Sequence, residues 1–168
     1  MAKLFERHYA QLYRYAHKIH RDREAVNDLI QDLFIEIWQQ REPNPILSIK
    51  GYLLQSIRYK VIRLIRNGSG TIPLEEADHS FEISAEDLHI RQESDTERNR
   101  RISLALQQLS PRQRELVYLR FYLSLSYREI CSILQIDYQI ARNHLHQGIK
   151  RLRGILEPVL PASPTGSN

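Results

Sequence analysis

"SYREICSILQIDYQIARNHLHQGIKRLR", residues 126–153, decides the fold, because two helix-start signals follow one another there with only a few residues between them. Ser126 with Glu129 three positions on is a capping box, in which the hydroxyl and the carboxylate each satisfy a backbone N–H at the start of a helix. A short helix is therefore predicted over Tyr127–Leu134. Gln135-Ile136-Asp137 makes a tight connection, and Asp137 can cap a last helix reaching about Leu156. Along that last helix Ala141, Leu145, Gly148, Ile149 and Leu152 fall on one side and are expected to pack on Ile130, Leu134 and Ile136. Gln139, Arg142, Asn143, His146, Lys150 and Arg151 are left outside, with Ile140 near the helix start. Two short helices, the second basic, match the helix-turn-helix arrangement. Arg can bond bidentately to guanine, Asn or Gln to adenine, and Ile140 can meet a thymine methyl, while Lys and Arg further along neutralise phosphates. A solvated basic helix is the alternative; the capped partner helix favours duplex DNA.

Upstream, Ser110-Pro111-Arg112-Gln113 repeats the start signal, with Pro tolerated in the first turn. Before it a helix from about Glu97 places Ile102, Ala105, Leu106 and Leu109 on one face. Residues 68–96, "GSGTIPLEEADHSFEISAEDLHIRQESDT", change character. Apolar residues are too sparse there to bury a core, so a mostly extended linker is expected. Helical spacing also dominates residues 1–67. One helix covers roughly 3–20 and a second about Asp22–Arg41. Pro43 and Pro45 interrupt, and Ser48 can cap a third helix to about Arg66, which Asn67-Gly68 would close with a left-handed residue. No alternating β-branched run argues for a sheet. The expected class is all-α: an N-terminal helical bundle (1–67) and a C-terminal helix-turn-helix bundle (97–157), joined by an acidic flexible linker (68–96) and followed by a disordered tail (158–168).

Charge follows that division. Residues 1–70 hold 12 Lys/Arg against 7 Asp/Glu, residues 71–100 hold 3 against 9, and residues 101–168 hold 9 against 4. The net charge of +4 thus conceals two cationic blocks, the kind of field that attracts polyanions. Two helices of the first block carry contrasting faces. In "DLIQDLFIEIWQQR", Ile30, Leu33, Phe34 and Ile37 with Trp38 form an inward stripe. Asp28, Gln31, Asp32, Ile35, Glu36 and Gln39 form an acidic and amide face that repels DNA and suits a basic protein surface, with Ile35 as an anchor. The third helix carries Arg58, Lys60, Arg63 and Arg66 beside Tyr52 and Tyr59, a combination suited to opened or single-stranded nucleic acid. A merely solvated face is the alternative for the second helix, and a plain core-plus-surface helix for the third.

The chemistry excluded is as informative. One cysteine, Cys131, allows no internal disulfide and no thiolate cage, and it fits a reducing cytoplasm. There is no phosphate-binding glycine loop, no nucleophile elbow and no ligand set at metal spacing. Neither an enzyme nor a cofactor is expected, and no run approaches the length of a membrane span.

In order, "LFERHYAQLYRYA", "DREAVNDLIQDLFIEIW", the acidic linker and "ALQQLSPRQRELVYLRFYLSLSYREICSILQIDYQIARNHLHQGIKRLR" resemble the extracytoplasmic-function group of bacterial sigma-70 factors, over about residues 4–66 and 102–156. The resemblance implies an initiation subunit of RNA polymerase. Asp28, Gln31, Asp32, Ile35 and Glu36 would dock on the β′ coiled coil of core polymerase. The loop "REPNPILSIK" and the third helix, through Tyr52, Arg58, Tyr59, Lys60, Arg63 and Arg66, would open and read the −10 element. The last helix would read the −35 element as duplex, and an anti-sigma factor is a further candidate partner. Departures exist: Tyr59 and Arg63 stand where family members commonly have Asn and Asp, and Gln135 stands at the usual Gly of the helix-turn-helix connection, where it would bring left-handed strain. Glu75, Glu76, Asp78, Glu82, Glu86 and Asp87 would thread a basic polymerase channel that later carries RNA. A helix-turn-helix regulator acting without polymerase, and an interaction protein whose basic helix is idle, are the competing classes.

Overall fold

The computed structural model describes residues 2–39, 48–69, 80–83, 87 and 96–156. Seven helices occupy them: α1 (Ala2–Ile19), α2 (Arg23–Gln39), α3 (Ile49–Ser69), α4 (Thr96–Gln107), α5 (Pro111–Val117), α6 (Tyr127–Leu134) and α7 (Tyr138–Leu156), and α5 continues into a π-helical turn, Tyr118–Tyr122. No strand occurs among the described residues.

The starts are where short polar side chains put them. The Asp22 carboxylate accepts from the amides of Glu24 and Ala25 at 3.0 and 3.1 Å and opens α2. Ser110–Gln113 and Ser126–Glu129 both form complete capping boxes, at α5 and α6. Ends are less regular. Gly68 is not left-handed, and α3 runs through it to Ser69. Gln135, by contrast, closes α6 with φ 54° and ψ 46°, its side-chain amide donating to the Ser132 carbonyl at 2.6 Å. The loop residues 41–47, which include Pro43 and Pro45, and the tail 158–168 lie outside the described residues.

α1, α2 and α3 bury Leu12, Val26, Ile30, Leu33, Leu53 and Val61 against one another. α4, α5, α6 and α7 bury Leu106, Leu116, Ile130, Ile133, Ala141 and Leu145. These two groups do not stand apart. α6 packs along α3, and one continuous apolar cluster runs through both halves.

The junction is polar at its centre as well. Glu115 of α5 is buried, and its Oε1 accepts from Arg58 Nε at 2.9 Å and from the Tyr15 hydroxyl at 2.7 Å; Arg58 Nη2 reaches Oε2 at 3.3 Å. A second bond set joins the helix starts. Gly51 N–H donates to Ser48 Oγ at 2.9 Å, and the Ser48 hydroxyl donates to Glu129 Oε1 at 2.8 Å, so one carboxylate serves the caps of α3 and α6 together. A Cβ on Gly51 would lie 2.9 Å from Ser48 Oγ, so this cap leaves no room for a side chain. Lys50 Nζ donates to the Leu123 carbonyl at 2.6 Å, and Arg14 to the Tyr122 hydroxyl at 2.9 Å.

Part of the linker is in the junction too. Phe81 and Ile83, two of its few apolar residues, are buried, with the Phe81 ring edge-on to Tyr118 at 5.5 Å and tilted against Tyr15 at 6.0 Å. Ser80 bonds the Ile19 carbonyl, Glu82 N–H donates to the Lys18 carbonyl at 3.3 Å, and Glu82 and Asp87 pair with Arg21 and Lys18. Sparse apolar content therefore sufficed to dock a short strap, because α1 and the π-helical turn already offer a ready aromatic floor. Of the acidic set assigned to a polymerase channel, Glu75, Glu76, Asp78 and Glu86 lie outside the described residues.

Candidate nucleic-acid and partner interfaces

α7 presents its outer side as the spacing requires. Gln139, Ile140, Arg142, Asn143, His146, Lys150 and Arg151 are all exposed, while Ala141, Leu145 and Gly148 are buried. Gln139 Nε2 donates to Asn143 Oδ1 at 2.9 Å, so two of the amides meant for base edges hold each other in one orientation. Tyr138, exposed at the helix start, leans edge-on against Tyr127 at 5.3 Å. It adds a ring and a hydroxyl to this face, which the pattern of basic and amide residues alone does not reveal.

On α2 the acidic face is intact: Asp28, Gln31, Asp32, Ile35 and Glu36 are exposed together. Trp38 is not in the inward stripe. It is 71% exposed and Ile35 54%, so an indole and an aliphatic side chain stand side by side on the same helix within an acidic surround. The reason is angular. At about 100° per residue Trp38 lies about 80° from Ile30, on the edge of the buried stripe and next to Gln31 on the acidic side. Exposed large apolar residues that adjoin one another mark contact surfaces more than scattered ones do.

α3 divides its candidate residues. Tyr59, Arg63 and Arg66 are exposed, and Tyr52 is half-buried beside them. Lys60 is drawn to α2, where its ammonium meets Glu36 Oε1 at 2.6 Å, tying the basic helix to the acidic face. Arg58 is not on that surface. It lies about 100° around the helix from Tyr59 and points into the junction, where Glu115 neutralises it. Between α2, α3 and the end of α6 lies an open cleft of about 950 Å³ lined by Glu36, Tyr52, Tyr59, Lys60, Arg63 and Gln135 among others. Its aromatic and cationic walls can stack a base and meet a phosphate.

Electrostatics at the shared helix starts are well defined. Burial pushes the Glu129 carboxyl up, but the Ser126 amide, the hydroxyls of Ser48 and Ser126 and the charge of Lys50 outweigh it and hold the group below its ordinary value of 4.5. Burial lowers the Lys50 ammonium, opposed by Glu129. Burial, and then the charge of Asp137, raise the Cys131 thiol above its ordinary value against a backbone hydrogen bond that lowers it. No group of His, Cys, Asp and Glu among the described residues could hold a metal ion, and no described helix is long and apolar enough to cross a membrane.

The family model for sigma-70 region 2 matches residues 4–71 and that for sigma-70 region 4 matches residues 99–152. The chain is 26% identical over 156 residues to the ECF RNA polymerase sigma factor SigE of Mycolicibacterium smegmatis, a match covering 92% of this chain and 60% of that protein. It therefore spans about three-fifths of the length of that relative. Among solved structures it is similar to the sigma factor RpoE in complex with the anti-sigma factor NepR from Bartonella quintana, with TM-score 0.60, 20% identity and coverage of 95% and 98% of the two chains. It is also similar to CnrH in complex with the cytosolic domain of CnrY, with TM-score 0.57, 18% identity and coverage of 95% and 88%.

Proposed function

We propose, on the premise that this chain belongs to the extracytoplasmic-function group of the sigma-70 family, that it is a cytoplasmic initiation subunit which binds core RNA polymerase and directs it to promoters. The observation that carries this is the presence, in order on one chain, of the two sigma-70 regions, with an acidic face on the first and a basic recognition helix on the second. Such a role asks for positioning and recognition, with the chemistry left to polymerase.

Residues 1–67 would form the unit for core polymerase and the −10 element, 68–96 the linker, 97–157 the unit for the −35 element, and 158–168 the tail. Asp28, Gln31, Asp32 and Glu36 give the docking face its charge; Ile35 and Trp38 give it an apolar centre that a basic coiled coil can cover. Tyr52, Tyr59, Arg63 and Arg66 suit opened −10 DNA. Extruding a base costs a few kcal/mol of unstacking, which ring stacking in the cleft can offset. Gln139, Ile140, Arg142 and Asn143 suit base edges in the −35 major groove; Lys150 and Arg151 suit phosphates. An anti-sigma factor is a further partner of this reading, because the RpoE structure that the chain resembles in fold is a complex with the anti-sigma factor NepR.

Gel filtration with purified core polymerase tests the assignment. Comigration is expected, as is its loss when Asp28 and Asp32 are both changed to Lys with the circular dichroism spectrum unaltered. Duplex binding with no affinity for polymerase would instead make the chain a free-standing regulator.

A further inference from the structure

Resting on the initiation role above, we infer that the −35 element of this chain's promoters carries an adenine read by Asn143, and that Gln139 is the positioning residue that turns the Asn143 amide toward it.

The outer side of α7 holds two kinds of side chain. Arg142, Lys150 and Arg151 are exposed cations, whose attraction to phosphate is the same for every sequence. Gln139 and Asn143 are neutral amides that bring nothing to that attraction. They stand one turn apart within the first two turns of the helix, the end that meets base edges in helix-turn-helix proteins. An exposed bond between amides adds little to helix stability, since water offers both groups the same partners.

The direction of the bond is what selects a base. Gln139 Nε2 donates to Asn143 Oδ1 at 2.9 Å, which takes one lone pair of that oxygen. The other lone pair and the Nδ2 hydrogen beside it form a fork of one acceptor and one donor. In the major groove adenine answers that fork on a single base edge, with N6–H to the oxygen and N7 to the hydrogen; guanine offers two acceptors and would set O6 against Oδ1. A lone asparagine can turn its amide and lay Nδ2 across both guanine acceptors. Here that turn breaks the bond to Gln139 and sets two donors face to face.

The platform is firm as well. Ala141 and Leu145 are buried, and a Cβ on Gly148 would lie 3.5 Å from Gln113 Cβ, so α7 sits close on α5 and the amide face has little freedom to roll. Ile140, exposed and three positions before Asn143, shares the fork's side of the helix, where the thymine methyl of the same pair or the next can meet it.

Duplexes with a randomised upstream segment test the pair. They are offered to core polymerase carrying the full chain and to the full chain alone, and the bound molecules are sequenced. One position is expected to hold adenine in both selections. Asn143→Asp leaves acceptors only and should move that position from adenine to cytosine, whose N4 is a donor. Gln139→Glu keeps the length of the side chain and loses the donor; it should lower the adenine-over-guanine ratio at the same position about tenfold, leaving the other positions and the circular dichroism spectrum as they were. Gln139→Ala should do the same. An adenine preference that survives both Gln139 variants, or an Asn143→Asp variant that weakens all sequences alike, overturns the inference. If the chain alone selects the adenine but never joins polymerase, the initiation role falls and the amide pair stands. If the polymerase complex forms and starts transcripts while no position follows Asn143, the pair falls and the role stands.

Discussion

α7 and α3 are both basic helices of similar length, yet their candidate residues fare differently. On α7 all seven are exposed, whereas on α3 one is buried and one is tied to a neighbouring helix. Among the described residues α7 packs mainly on α4, α5 and α6 of its own unit, so a single apolar stripe divides inside from outside. α3 packs on α1 and α2 with one side and on α6 with another. A cation on the flank of such a helix, as Arg58 is, answers to the second partner, which lies far away in sequence. Charge on a helix with one partner reports on ligands; charge on a helix with two can report on architecture.

The sharpest way to break this contrast is Arg58→Ala. It strands Glu115 as a buried, unpaired carboxylate, and a loss of about 3–5 kcal/mol in stability is expected by urea denaturation. Base preference at the −10 element should not move; if it shifts while stability holds, Arg58 acts on DNA after all. Arg142→Ala or Asn143→Ala should do the reverse. Each is expected to cost about 1–3 kcal/mol of binding at one or two −35 positions and to leave stability within about 0.5 kcal/mol. Equal weakening on every sequence would mean phosphate contacts.

Glu129→Ala sits between the two extremes, since it removes the carboxylate that links the caps of α3 and α6 and half of the α6 capping box. About 1 kcal/mol is expected. The same contact has a pH signature. Folding lowers the Glu129 pKa, so its contribution is full above the ordinary value of 4.5 and fades as pH falls through the lowered folded value. In Glu129→Ala that part of the acid dependence should vanish, which titrating stability from pH 6 to pH 3 would show.

How much of this was legible in the residues follows the range of the forces involved. Capping boxes act over three positions, so Ser110–Gln113 and Ser126–Glu129 could be read directly and set α5 and α6 correctly. The outer set of α7 followed from one amphipathic period. Trp38 was misplaced because a residue on the edge of a stripe is assigned by its neighbours in space, and its hydrophobicity pulled the assignment inward. Nothing near Glu115 in the sequence signals its burial. Only Tyr15 and Arg58, 100 and 57 positions away, make it a buried anchor. The strap was missed for the same reason: counting apolar residues in 68–96 asks whether the segment can form a core, and Phe81 needs only to complete one built by others.

The smallest effect concerns the turn that the opening stretch turns on. Gln135 has φ 54° with a Cβ present, where family members commonly carry Gly, and the left-handed conformation costs an L residue about 1 kcal/mol or more. Its side chain recovers part of that through the bond to the Ser132 carbonyl, at 2.6 Å. Gln135→Gly removes the strain and the bond together, and it adds backbone freedom to the unfolded chain. The terms nearly offset, so a change of no more than about 0.5 kcal/mol in either direction is expected, with −35 binding unaltered. Gln135→Val separates them: a β-branched residue at this φ keeps the strain and loses the amide, and should destabilise by about 1–2 kcal/mol. If valine is tolerated as well as glycine, the angle between α6 and α7 is set by their packing alone and the turn residue is a passenger.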